Sequence, residues 1–188
     1  MPKRISYNSP VVLTFSLLSL AALIISGLTG GRLMNSFFTL FLTSAKDPLQ
    51  YVRLFTHVLG HANWEHYSGN ITLLLLIGPM LEEKYGSRRL LMVMIFTALA
   101  TAFVNLILFP DVAVLGASGI VFAFILLASI TDIGKGEIPL TLIVVAVIYI
   151  GGELISGIFS NDSVSQLSHV IGGVVGCMFG YIFIPRRG

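Results

Sequence analysis

Four polar residues lie within long apolar stretches of this sequence, and together their types could carry out acyl transfer. Ser118 stands in the Gly-Ala-Ser-Gly run 116–119, while His169, His66 and Asn70 lie in other apolar stretches. A serine hydroxyl becomes a nucleophile when a neutral histidine takes its proton, so Ser118 and His169 are a candidate nucleophile and general base. His66, Asn70 and the backbone N–H of Ser118 are donors of the kind that stabilise an oxyanion.

A carboxylate that would orient the histidine is not evident. Asp111, Glu153 and Asp162 all lie towards the ends of apolar stretches, so we expect a Ser-His dyad. By residue type alone, a packing role for Ser118 is the alternative. Serine in an apolar helix often bonds back to its own helix backbone, and glycines near it are typical of close helix contacts.

The composition indicates an integral membrane protein. Of the 188 residues, 55% are hydrophobic and 11% are charged, whereas soluble domains contain about 45–50% apolar and about 25% charged residues. The single cysteine, Cys177, excludes a disulfide framework, and no CxxC motif or zinc-ligand set occurs. We therefore expect no metal and no other cofactor, and nothing in the net charge of +2 indicates a nucleic-acid partner.

The apolar stretches predict an all-α polytopic protein, a single domain over residues 1–188 with six transmembrane helices. The predicted spans are about 11–30, 66–82, 90–110, 112–131, 138–159 and 166–184. In the second span only 15 residues, 67–81, separate His66 from Glu82. Because a bilayer needs about 20, this helix must include His66 or the bilayer must thin around it. Residues 31–64 are expected to form a loop that is partly embedded in the membrane interface.

The positive charges predict the orientation of these spans. With both termini in the cytoplasm, eight lysines and arginines lie inside and three lie outside, as the positive-inside rule favours. Counting about 1.5 Å per residue from the cytoplasmic helix ends places all four polar residues roughly 18–26 Å up, in the outer half of a core of about 30 Å. Such polar residues are costly unless they face a cavity or one another, so they are expected to converge.

Glycines give the predicted sixth span one smooth face. Gly172, Gly176 and Gly180 recur every four residues after His169, and small residues at this spacing let helix backbones approach closely. We expect this face to press the fourth and sixth helices together, which would bring Ser118 and His169 within reach of each other.

Three motifs on three predicted spans resemble those of the rhomboid family of intramembrane serine proteases. Residues 116–119 resemble the family's GxSG, residues 57–70 its HxxxHxxxxHxxxN, and residues 169–176 its HxxGxxxG. The matched positions are Gly116, Ser118 and Gly119; His57, His61, His66 and Asn70; His169, Gly172 and Gly176; Arg53 of the first loop; and Glu82 with Gly86, which match an ExxxG pattern.

The resemblance implies a rhomboid-like bundle and a serine endopeptidase in a bacterial cytoplasmic membrane. Such an enzyme cuts single-span or other transmembrane proteins in or near their transmembrane segments. The resemblance also implies Ser118 as nucleophile, His169 as base, and His66 with Asn70 as oxyanion donors. Phe122, where the family often has tyrosine, is expected to stack on His169. His57 and His61 are expected to shape the loop rather than to catalyse.

Two other function classes fit parts of the sequence. A rhomboid-like protein that binds membrane clients without cutting them would usually lack the serine or the histidine, and this chain has both. A metal transporter or metalloprotease could use His57, His61, His66 and His169. However, no HExxH motif occurs, and no intramembrane carboxylates accompany the histidines as a transport path would favour.

Overall fold

The computed structural model describes residues 6–130 and 163–183, together with a few single positions between 140 and 148. Its elements, in chain order, are α1 (Pro10–Leu28), a π-helical turn (Met34–Phe38), α2 (Pro48–Thr56), a 3-10 turn (His57–Leu59), α3 (Trp64–Tyr85), α4 (Ser87–Leu108), α5 (Ser118–Ile130) and α6 (Ser163–Phe183). In the described residues the only β pairing is one antiparallel bridge between Leu40 and Val114. The prediction of an all-α fold is therefore confirmed.

Helix α5 forms the centre of the described bundle. Every residue from Gly119 to Leu127 is buried, because α3, α4 and α6 all pack against this helix. A Cβ atom placed on Gly172 would overlap the carbonyl of Gly119, and one on Gly176 would overlap the carbonyl of Ala123. The glycine face of α6 thus lies directly against the backbone of α5, as its spacing predicted.

Two of the described helices, α1 and α4, are long and apolar enough to cross a membrane, while α5 and residues 167–183 are apolar but shorter. Helix α3 extends the predicted second span at both ends and includes His66 near its start. The predicted fifth span, 138–159, falls almost wholly outside the described residues. The count of six spans therefore stays a prediction.

The predicted fourth span, 112–131, is wrong at its start, because residues 112–117 are not helical. Val114 exchanges two backbone hydrogen bonds with Leu40, of 2.8 and 2.9 Å, and the Gly116 N–H donates to the carbonyl of His57 at 3.0 Å. Asn105 Nδ2 also donates to the carbonyl of Val112 at 3.0 Å. Since these partners satisfy the backbone, the segment has no need of helical hydrogen bonds even though it is uncharged.

The connection between α1 and α3 is an ordered substructure built around Arg53. This side chain is buried, its Nε donates to the carbonyl of Ser36 at 2.9 Å, and its NH1 lies 3.4 Å from the carboxylate of Asp47. Its guanidinium also lies over the ring of Phe41, 4.4 Å from the centroid. Hydrogen bonds from the Leu49 N–H and the Thr43 hydroxyl hold the pKa of Asp47 below its ordinary value, which keeps this carboxylate charged opposite Arg53.

Glu82 and Gly86 fix the turn between α3 and α4 and also the start of α1. The buried carboxylate of Glu82 accepts hydrogen bonds from the N–H groups of Val11 and Val12, at 2.9 and 3.1 Å, and from the Ser87 hydroxyl at 2.7 Å. Gly86 ends α3 with a φ of 83°, which glycine adopts without strain. One carboxylate therefore caps the helix that begins the bundle and braces the turn beside it.

Candidate active site

Side chains from four helices meet around a cavity of about 260 Å³ at one end of the bundle. Its lining includes all four polar residues singled out in the sequence: His66 and Asn70 on α3, Ser118 on α5, and His169 on α6. Thr101 of α4, Ser168 of α6, His57 and the segment 114–116 complete most of the wall. The structure thus brings together residues that lie as much as 103 positions apart in the sequence (169 − 66).

Ser118 is the first residue of α5 rather than a residue within a spanning helix. The first hydrogen bond of this turn runs from the Val121 N–H to the Ala117 carbonyl at 3.0 Å. The N–H groups of Ser118 and Gly119 therefore have no acceptor within the helix. Gly116, two residues earlier, has a φ of 133°, a conformation that side chains disfavour, and this turn presents the serine at the helix N-terminus.

His169 is held by stacking on the helix that carries the serine. The rings of Phe122 and His169 lie 4.4 Å apart with an angle of 5° between their planes. Phe122 is one turn beyond Ser118 on α5, so the same helix presents the hydroxyl and supports the imidazole. This is the stacking that the family resemblance implied, and phenylalanine supplies it without the hydroxyl of tyrosine.

His66 and Asn70 lie on the same face of α3, one turn apart. The helix is capped by Asn63, whose side-chain oxygen accepts the His66 N–H at 2.8 Å. The His66 ring fits closely against Gly116, because a Cβ there would lie 2.8 Å from both Cε1 and Nε2 of the imidazole. Asn70 is buried, and its Nδ2 has no hydrogen-bond partner within residues 6–130 and 163–183, which leaves a donor for something held in the cavity.

His57, which forms part of the cavity wall, and His61 are both held by groups of the loop. His57 Nδ1 lies 3.1 Å from the Arg53 carbonyl and its Nε2 lies 3.3 Å from the Thr101 hydroxyl. His61 Nδ1 lies 3.2 Å from the Leu59 carbonyl, and its ring meets that of His66 edge-on at 5.0 Å. Burial lowers the pKa of both histidines to about 4, so both are neutral at physiological pH.

Thr101 and Ser168 line the cavity although the sequence analysis did not single them out. The Thr101 hydroxyl lies 2.9 and 3.0 Å from the carbonyls of Thr97 and Ala98, which makes it a helix-bonded group that also supports His57. Its methyl carbon would lie 3.0 Å from a Cβ placed on Gly119, a close contact. Little in the sequence indicated that these two residues line the cavity. Thr97 and Thr101 share one face of an apolar helix, and Ser168 directly precedes His169.

The described residues contain no group of three or more His, Cys, Asp or Glu side chains that could hold a metal ion. The polar part of the cavity is instead made of hydroxyl, amide and imidazole groups. These groups match the requirements of acyl transfer: a hydroxyl, a ring that can accept its proton, and hydrogen-bond donors nearby.

The profile of the Rhomboid domain family matches residues 48–186. The chain belongs to the rhomboid family. The match begins at the first residue of α2 and covers α2 and the site-bearing helices α3 to α6. Together with the two apolar helices long enough to span a bilayer, this membership makes the rhomboid chain an integral membrane protein.

Two curated rhomboid proteins are similar over much of the chain. One is Rhomboid-related protein 1 of Caenorhabditis elegans, 29% identical over 142 residues, which are 70% of this chain and 40% of the relative. The other is the chloroplastic Rhomboid-like protein 11 of Arabidopsis thaliana, 26% identical over 136 residues, which are 65% of this chain and 49% of the relative. The rhomboid chain thus aligns with less than half the length of each relative.

Proposed function

We propose that this protein is an intramembrane serine endopeptidase that uses a Ser118–His169 dyad. The observation that carries the proposal is that Ser118, His169, His66 and Asn70, from three different helices, line one cavity of about 260 Å³. Packing alone accounts for a serine in an apolar helix, but it does not require a second helix to present a histidine and a third to present a buried amide at the same place.

In the proposed first step, Ser118 Oγ attacks the carbonyl carbon of the scissile peptide bond and its proton passes to the His169 imidazole. The tetrahedral intermediate then collapses, the C–N bond breaks, and His169 gives its proton to the leaving amine. Water, activated in turn by His169, hydrolyses the acyl-serine. The stacking on Phe122 would hold the imidazole plane while it alternates between base and acid.

The negative charge of the intermediate requires donors that are already in place. The N–H groups at the start of α5, the Asn70 amide and the His66 ring are of the right type, and the positive end of the α5 dipole adds to their effect. Gly116 and the burial of Asn70 limit the freedom of two of these donors. Little reorganisation would then be needed as the charge develops.

We propose transmembrane segments of other proteins as substrates, and membership of the rhomboid family and the apolar helices that carry the site support this. An extended peptide could enter the polar cavity only where its backbone leaves the helical state, since a helix satisfies its own carbonyls. Single-span proteins are the simplest substrates of this class.

Co-expression with a tagged single-span membrane protein tests the proposal. Wild type should yield a cut product, and Ser118→Ala should yield none. Ser168→Ala is the matched control because it removes the other serine hydroxyl of the cavity, and it should leave the cut product in place. The assignment of Ser118 would be rejected if Ser118→Ala still cut the substrate. It would also be rejected if only Ser168→Ala lost cleavage.

The same experiment separates cutting from client binding. The substrate is also isolated with wild type and with Ser118→Ala through the enzyme's tag. Equal capture by both proteins without any cut product would instead support a client-binding rhomboid protein.

A further inference from the structure

Two further cavities lie along the face of α1 towards α2 and share no lining residue with the Ser118 cavity. The first, of about 470 Å³, lies at the C-terminal end of α1 and is lined by Leu28, Thr29, Arg32, Leu33, Ser36 and Phe37. The second, of about 380 Å³, continues from it, since Leu33 and Phe37 line both. We call these two joined cavities the α1–α2 groove.

The two parts of the groove differ in chemistry. The deeper part is lined almost wholly by apolar side chains, from Leu18 and Ala22 on α1 to Val52 on α2. The mouth carries the exposed guanidinium of Arg32, which makes no ion pair or side-chain hydrogen bond with residues 6–130 or 163–183. The cationic side chain of Arg32 therefore lies at one end of an apolar channel.

The dimensions of the groove match one leaflet of a bilayer. Helix α1 has 19 residues, so at about 1.5 Å per residue it is close to the roughly 30 Å hydrocarbon thickness. Arg32, four residues beyond its end, then lies at the level of the lipid headgroups. From Leu28 to Leu18 the groove descends about 15 Å, which is the depth available to one acyl chain.

We propose that the α1–α2 groove binds one anionic phospholipid, with its phosphate on Arg32 and an acyl chain along α1. The end of α1 presents carbonyl groups and the negative end of the helix dipole, so the helix itself would not hold an anion. The guanidinium is therefore the group that selects negative charge, and it can bind a phosphate through two parallel hydrogen bonds.

The occupant follows from where the groove lies. In an integral membrane protein, an open apolar channel that begins at headgroup level faces lipid rather than water, and the exposed side chains of Leu18, Ile25 and Leu28 beside it are apolar. The proposal is independent of peptidase activity. No residue that lines the groove is one of the proposed catalytic or oxyanion residues.

Lipid binding to the purified full chain tests this site, with native mass spectrometry as the readout. The probes are dioleoyl phosphatidylglycerol, which is anionic, dioleoyl phosphatidylcholine, which is not, and soluble glycerol phosphate, which has no acyl chain. Wild type should retain one phosphatidylglycerol about tenfold more tightly than phosphatidylcholine, as expected for one charge-assisted contact. Glycerol phosphate should not bind measurably.

Two matched pairs of variants locate the lipid. Arg32→Gln should abolish the preference for phosphatidylglycerol, while Arg88→Gln, at another exposed arginine, should keep it. Ala21→Trp fills the groove and should weaken both lipids, while Leu17→Trp, at an exposed α1 position outside the groove, should not. If Ala21→Trp fails to fold by circular dichroism, Val52→Trp on the facing wall replaces it.

Any one of four results would overturn the proposal. Three of them are equal retention of the two lipids by wild type, the same effect of Arg32→Gln and Arg88→Gln, and unchanged retention in the groove-filling variant. Binding of glycerol phosphate as tight as that of the lipid would also overturn it, because the acyl channel would then contribute nothing.

Discussion

At the residue scale, the buried amide of Asn70 has a specific role in the proposed reaction. This amide is buried on α3, and its Nδ2 has no partner among the described residues. An unpaired buried donor costs on the order of 1–3 kcal/mol. That cost is offset if the donor meets an oxyanion during catalysis, so we interpret Asn70 as a group that acts mainly in the transition state.

Variants of Asn70 and of Ser118 should therefore differ in degree. Asn70→Ala should lower kcat by about 10- to 10³-fold with little change in substrate affinity, because His66 and the backbone N–H groups still share the charge. Ser118→Ala should abolish cleavage. Single-turnover cleavage of a transmembrane substrate by the purified variants measures both. Weaker binding with an unchanged chemical step in Asn70→Ala would remove this residue from the oxyanion site.

The buried neutral histidines predict a pH dependence of stability. His57 and His61 have folded-state pKa values of about 4 against 6.5 in an unfolded chain, so the unfolded state binds more protons between these values. Their contribution is fully present above pH 6.5 and is lost as pH falls towards 4, on the order of 3 kcal/mol for each histidine. Thermal unfolding in a non-ionic detergent at pH 7 and pH 4.5 should show the loss.

His61→Gln provides the comparison for this pH effect. Glutamine can keep a hydrogen bond to the Leu59 carbonyl but does not titrate, so the difference in stability between the two pH values should shrink. An unchanged difference in His61→Gln would mean that other groups cause the acid sensitivity.

At the scale of elements, the contact between α5 and α6 is possible because Gly172 and Gly176 have no side chains. A methyl group at residue 172 would overlap the Gly119 carbonyl, whereas one at residue 173 would lie 3.7 Å from Leu126 Cγ, an ordinary contact. Helix α6 carries His169 and α5 carries Ser118. The distance between these helices therefore sets whether the hydroxyl and the imidazole can meet.

Alanine substitutions at these adjacent glycines should have opposite results. Gly172→Ala should separate the helices, destabilise the protein by about 1–3 kcal/mol as overpacking does, and abolish cleavage. Gly173→Ala should leave cleavage intact and add up to about 1 kcal/mol of helix propensity. Unfolding and cleavage assays on the pair measure both effects. Equal behaviour of the two variants would show that the contact between α5 and α6 is not close.

The carboxylate of Glu82 connects three elements, and its exposed neighbour offers a control. Glu82→Ala removes the acceptor for two N–H groups of α1 and for Ser87, and it should cost about 2–3 kcal/mol of stability. Glu83→Ala, at an exposed position, should cost less than about 0.5 kcal/mol. Denaturant or thermal unfolding of both variants tests this, and equal losses would show that the cap contributes nothing.

For the whole molecule, the orientation in the membrane remains a prediction, and it places the Ser118 cavity towards the outer face. Leu115 lines this cavity and is only partly buried. In a Cys177→Ala background, Leu115→Cys should react with a membrane-impermeant thiol reagent added to intact cells. Ala117→Cys is the control, because Ala117 is fully buried and should not react. Labelling only after the membrane is opened would reverse the predicted topology.

Composition and spacing were sufficient to predict the helical class, the glycine contact and the four polar residues of the cavity, because each follows from periodicity or from the cost of a polar group in an apolar stretch. The start of α5 could not be predicted in the same way. Residues 112–117 are uncharged like a span, and their non-helical course depends on Leu40 and His57, which are distant in sequence. The ordered loop around Arg53 likewise depends on long-range hydrogen bonds that leave no periodic trace.

The capping of α1 by Glu82 has a consequence for biosynthesis. Val11 and its acceptor are 71 residues apart, so a ribosome makes α1 well before it makes the carboxylate that caps it. Until then, water must accept the hydrogen bonds of the N–H groups at the start of α1. This end of the helix must therefore stay at the membrane surface, where water is present. Helix α1 is thus made before α3, and its N-terminal cap can be completed only after the turn between α3 and α4 has formed.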